Sequence, residues 1–97
     1  MTAKTPLEIV AEERTVERAK ACGFMVRKFA FVGVRGGPDR LFGRNGRTIL
    51  IEFKRWSKVP TRQQQIRAQE LRTHCGWEVH WCDNYEDACR ILGISEG

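Results

Sequence analysis

Apolar and polar positions change their spacing several times along the chain, and each change marks an element. From Leu7 to Cys22 the residues favour helix, with Gly23 as a C-terminal stop. Met25 to Val32 alternates loosely, is rich in Val and Phe, and reads as a strand, followed by a glycine-rich loop at 33–38. Strands are expected at about 39–44 and 47–54, then a basic loop from Arg55 to Pro60. Thr61 with Gln64 matches a capping box, which predicts a helix from there to about Cys75, with Gly76 after it. In that helix Gln64 shares a stripe with Ala68, Leu71 and Cys75, which should face the sheet. Trp77, Val79 and Trp81 alternate with Glu78, His80 and Cys82, the pattern of a half-buried strand. A last helix from about Asn84 to Leu92 packs Ala88, Ile91 and Leu92 and stops at Gly93. The order is αβββαβα, an α/β class chain, and a mixed sheet flanked by helices is its layered solution. With 97 residues there is enough chain for one core. Residues 1–6 read as a disordered lead and 7–97 as a single domain.

The most informative stretch is the hairpin at Asn45-Gly46. Asn-Gly between apolar runs is a strong hairpin signal, because both central positions of a type I′ turn need φ > 0. With these two residues as the loop, Arg44 pairs with Arg47, Phe42 with Ile49, and Leu41 with Leu50, so apolar residues meet apolar ones. The same register sets Asp39 directly opposite Glu52. Like charges opposed in a ladder, with Cβ atoms about 4.5–5.5 Å apart, are destabilising. A bound cation removes that repulsion, and converging carboxylates are a normal way to hold Mg²⁺. Lys54 lies two residues beyond Glu52 and therefore on the same face. Pro38 marks the start of the strand that presents Asp39, and the glycines at 33, 36 and 37 leave room for a backbone or a phosphate to approach.

Charge adds a partner to this picture. The formal net charge of +5 and a pI of about 9.4 favour a polyanion through counterion release. No apolar run approaches the roughly 20 residues needed to cross a bilayer, and the N-terminus lacks the apolar core of a signal peptide. A cytoplasmic protein with no membrane partner and no organic cofactor is expected. Cys22, Cys75, Cys82 and Cys89 show neither a Cys-x-x-Cys pair nor zinc-finger spacing with His74 or His80, so they read as buried free thiols.

Taken together, Val34-Arg35-Gly36-Gly37-Pro38-Asp39-Arg40-Leu41, Ile51-Glu52-Phe53-Lys54 and Thr61-Arg62-Gln63-Gln64, in this order, resemble the restriction-endonuclease-like (PD-(D/E)xK) fold. More narrowly, the chain resembles the stand-alone VRR-NUC nuclease domains of phage and prophage genomes, over about residues 7–92. The resemblance implies that Asp39 and Glu52 bind Mg²⁺ or Mn²⁺ and that Lys54 serves the attacking water. It also implies a helix glutamine, for which Gln63, Gln64 and Gln65 compete; Gln64 is selected by its inward stripe, with the capping box as its structural alternative. Related junction resolvases complete the metal site with a glutamate about three turns before the glycine that ends the first helix. Counting back from Gly23 selects Glu12, which shares a stripe with Val16 and Ala19; Glu8 and Glu13 are the alternatives. Gly36-Gly37 departs from the bulkier residue that related sequences often have before the proline.

The implied activity is a metal-dependent, structure-selective DNA endonuclease that leaves a 5′-phosphate and a 3′-hydroxyl. Arg35, Arg40, Arg55 and Lys58 surround the motifs as candidate phosphate contacts, which position DNA without reading its bases. Symmetric resolution of a four-way (Holliday) junction needs two cuts, so a homodimer is expected, with Phe31, Trp56, Trp77 and Trp81 as apolar surface for an interface. The competing expectation is a non-catalytic or nicking DNA-binding module of nuclease shape, acting on flaps or other branched DNA.

Overall fold

Asn45 and Gly46 take φ of 53° and 77°, the left-handed pair that a two-residue hairpin requires, and the chain reverses there. A computed structural model describes residues 6–29, 40–54 and 60–97. Its elements are α1 (Pro6–Ala21), β1 (Met25–Lys28), β2 (Arg40–Arg44), β3 (Arg47–Phe53), α2 (Arg62–Cys75), β4 (Glu78–Cys82) and α3 (Tyr85–Leu92), the αβββαβα order expected. The four strands form one mixed sheet in the order β1-β2-β3-β4. β1, β2 and β3 are antiparallel neighbours, whereas β4 runs parallel to β3 and is reached through α2.

Strand alternation sends each side of β3 into a different core. Phe42, Ile49, Ile51 and Phe53 pack with Ala11 and Ala19 of α1 and Ala88 and Leu92 of α3. On the opposite face Leu50 and Val79 pack with Ala68 and Leu71 of α2, with Leu41, Trp77 and Trp81 partly buried against them. Alanines at these helix contacts bring the helix backbones close to the sheet. Because β3 is covered on both faces, it reads as a nearly continuous apolar run, with Glu52 as the charged exception. Phe42, Ile49, Leu50, Ile51 and Phe53 are each fully buried, worth about 1.5–3 kcal/mol apiece.

Arg47 ties three elements together. Its Nε and Nη2 donate to the two carboxylate oxygens of Glu78, the Nη2 bond being 2.7 Å, and Nη2 also reaches the Ile91 carbonyl at 3.1 Å. The start of β3, the start of β4 and the last turn of α3 thus share one guanidinium. At α2 the capping box forms as expected. Thr61 Oγ1 accepts from the Gln64 N–H at 3.1 Å and Gln64 Oε1 accepts from the Thr61 N–H at 2.9 Å.

Several boundaries differ from the sequence reading. Pro6, expected in the lead, is the first residue of α1, where its missing N–H costs nothing. β1 ends at Lys28, because Phe29 leaves the ladder to set its ring edge-on against Trp77 at 6.1 Å. Trp77 in turn precedes β4. Lys54 follows β3, although its N–H still donates to the Cys82 carbonyl at 2.8 Å. β4 is buried on both faces through Val79 and Cys82, so it is not a strand with one wet side. All four cysteines are free, but Cys75 is exposed: α2 meets the sheet through Ala68 and Leu71, and its last turn carries Cys75 into solvent. Lead residues 1–5, the end of the expected first strand at 30–32, the loop 33–38 and the basic segment 55–59 lie outside the described residues.

Two measurements check this account. Gly46→Ala meets no atom within 4 Å, so its cost is purely the left-handed backbone, about 1–2 kcal/mol in urea unfolding. Hydrogen bonds from Arg47 lower the Glu78 pKa from its ordinary 4.5, against the upward push of burial. Stability from this pair is therefore complete above that value and lost as pH falls through the lowered one. The acid side of a Tm–pH profile should flatten in Arg47→Ala from about pH 5 downward.

Candidate active site

The hairpin register is the one its turn predicts: Arg44 opposes Arg47, Phe42 opposes Ile49, Leu41 opposes Leu50 and Arg40 opposes Ile51. Asp39, which the sequence reading sets opposite Glu52, lies outside the described residues. Glu52 alternates with Ile51 and Phe53, which fill the α1/α3 core, so it sits on the α2 face beside Leu50. Only 9% of Glu52 is exposed. A carboxylate sequestered to that degree near the end of an apolar strand needs compensating charge or hydrogen bonds. Lys54 is half-buried and two residues further along the same extended segment, so pleating carries its side chain toward the Glu52 side.

The first-helix acids divide by burial. Glu8 and Glu12 are buried at 4% and 8% exposure, whereas Glu13 is exposed. Glu12 accepts a 2.5 Å hydrogen bond from Arg40 Nε, and both side chains are largely shielded from water. Arg40 shares the α1/α3 face with Phe42. Glu12 therefore meets the hairpin through Arg40. Of the four expected phosphate contacts, Arg40 is engaged with Glu12, and Arg35, Arg55 and Lys58 lie outside the described residues.

Gln64 is half-exposed, and its Oε1 accepts from the Thr61 N–H in the capping box. Among the described residues no group of three or more His, Cys, Asp or Glu side chains gathers into a metal cluster. No helix among them is long and apolar enough to cross a membrane.

Two features escaped the sequence reading. One is the Arg40–Glu12 ion pair, for which the only signal was a lone acid in an apolar helical stripe. The other is Trp81, the parallel-ladder neighbour of Glu52. Their adjacency depends on which strand α2 delivers beside β3, and no local pattern encodes that. The Arg40–Glu12 pair is open to test by a double-mutant cycle. Arg40→Ala should cost about 1.5–3 kcal/mol of stability, typical of a charge-assisted hydrogen bond. Adding Glu12→Gln should recover part of the loss, whereas strictly additive effects would show that the two side chains are uncoupled.

No family model and no curated protein matches the chain. Among solved structures, one described as a VRR_NUC domain superposes with a TM-score of 0.78 at 24% sequence identity. The match covers 94% of this chain and 97% of that one. The chain has the fold of that domain, a mixed sheet between helices in αβββαβα order.

Proposed function

We propose that the protein is a metal-dependent, structure-selective DNA endonuclease that hydrolyses phosphodiester bonds. The observation that carries this reading is the β2–β3 register from the Asn45-Gly46 turn to Arg40 opposite Ile51, which agrees with the register from which the sequence reading pairs Asp39 with Glu52. The shared fold with a VRR_NUC domain supports it independently.

Asp39 and Glu52 would hold Mg²⁺ or Mn²⁺. The donor set suits such an ion: both are carboxylates, and hard cations prefer oxygen. When bound, a divalent cation polarises the scissile phosphate and lowers the pKa of a coordinated water. Lys54 orients the attacking water and offsets charge building on the phosphate oxygens. Glu12 would add a further ligand, with Glu8 as the buried alternative one turn earlier. Gln64 borders the site from the first turn of α2. Arg35, Arg55 and Lys58 contact phosphates, and Arg40 does so through its terminal nitrogens, its Nε being given to Glu12. These contacts follow the backbone and leave bases unread, which favours substrates defined by shape. Two such sites in a homodimer match the two cuts that a four-way junction requires.

Purified protein incubated with a labelled four-way junction, a flap and a linear duplex, in Mg²⁺, Mn²⁺ or EDTA, tests the reading. Branched DNA should be cut only with metal. Asp39→Asn, Glu52→Gln and Lys54→Ala should each lower the rate by about 10²–10⁴-fold without loss of DNA binding. Binding without cutting in every metal would leave a DNA-binding module of nuclease shape. A monomer by light scattering that makes only single nicks would remove the junction-resolving dimer.

A further inference from the structure

Between α2 and β4 lies an open groove of about 680 Å³, within the range of roughly 300–1,000 Å³ typical of ligand clefts. Trp81 and Ile66 supply its apolar surface, and Arg62, Gln65, Gln69 and Arg72 line the rest, with no carboxylate among the lining residues. The geometry points to a stacking site for an unpaired nucleotide of the DNA substrate, its base on the Trp81–Arg72 surface and its phosphate on Arg62. The inference rests on Glu52 belonging to a nuclease site.

Position is the first support. Glu52 and Trp81 are partners in the parallel β3–β4 ladder, so their side chains emerge on the same face from strands about 4.8 Å apart. A strand of DNA held at Glu52 passes beside this groove without crossing the sheet. Chemistry is the second support. Trp81 remains half-exposed although it belongs to a strand whose Val79 and Cys82 are buried. The guanidinium of Arg72 sits 5.8 Å from its ring centre, and Arg72 Nη2 is fixed by the Val79 carbonyl at 2.6 Å, so the aromatic and cationic surfaces are set in advance. Bases stack on such surfaces whatever their sequence, and arginine adds a cation–π contribution. Two arginines without an opposing acid complement a phosphate, and the glutamine amides suit base edges. In intact duplex both faces of a base are covered by its neighbours. The groove therefore distinguishes DNA with unpaired nucleotides at a branch from DNA that is paired throughout.

The test measures binding in EDTA, where cutting does not interfere, with 2-aminopurine in a short unpaired segment at a branch and a fully paired duplex as control. Wild type and Trp81→Phe should quench 2-aminopurine fluorescence on binding. Trp81→Leu should abolish the quench and weaken binding of the branched DNA by about 10- to 100-fold, leaving the paired duplex unchanged. A wild-type quench in Trp81→Leu, or equal losses on both DNAs, would overturn the proposal. If a thermal melt shows Trp81→Leu unfolded, Arg62→Ala with Gln69→Ala on the exposed side of α2 replaces it. That pair should selectively weaken the branched DNA, and uniform or absent weakening counts against the groove. Failure of the nuclease reading looks different: discrimination and quenching would persist while no metal yields cleavage.

Discussion

Every side chain of β2 and β3 owes its side of the sheet to the two-residue turn at Asn45-Gly46. A slip of one residue in β3 would exchange its faces, driving Glu52 into the core that Ile49, Ile51 and Phe53 fill with Phe42 and turning those three residues onto the side that Leu50 shares with α2. The penalty for that slip is several buried hydrophobes at once, so register is enforced from two ends, by turn geometry and by packing. Glu52 is then the one position on β3 where an apolar strand holds an acid, and its location follows without any contribution from side-chain preference.

Electrostatics in this chain do more than raise the net charge. Arg40 is given to Glu12, Arg47 to Glu78 and the end of α3, Arg72 to the Val79 carbonyl, and Arg44 to the Cys22 carbonyl at 2.9 Å with its guanidinium 4.3 Å above the Phe24 ring. These arginines fasten helices to the sheet. Composition therefore counts arginines that also have a structural role. Arg62 and Arg72 line the groove on the α2 side, where no acid is among the lining residues.

Much of the architecture was legible because its signals are local. Asn45-Gly46, the Thr61–Gln64 box and the glycines behind α2 and α3 act within a few residues of themselves, and all appear where the sequence puts them. The strand limits were less legible: Phe29 and Trp77 look like strand residues by type, but they satisfy each other outside the ladder. Cys75 shows the same limit on a helix, since periodicity assigns a stripe and not the length of sheet beneath it. At the candidate site, Glu52 and its register were legible, whereas Glu12 paired with Arg40 was not. That pair joins positions far apart in sequence, and an acid in an apolar stripe does not name its partner.

The parallel pairing of β3 with β4 separates the site into parts of unequal entropic cost. The hairpin closes over two residues, so Glu52 gains its neighbours on β2 almost locally. Trp81 reaches Glu52 only after the whole crossover through α2 is ordered, and loop-closure entropy must be lost before that contact stabilises anything. The hairpin side thus carries the low contact order of the fold and the groove side the high one. Local opening that detaches β4 would dissolve the groove while leaving the hairpin paired.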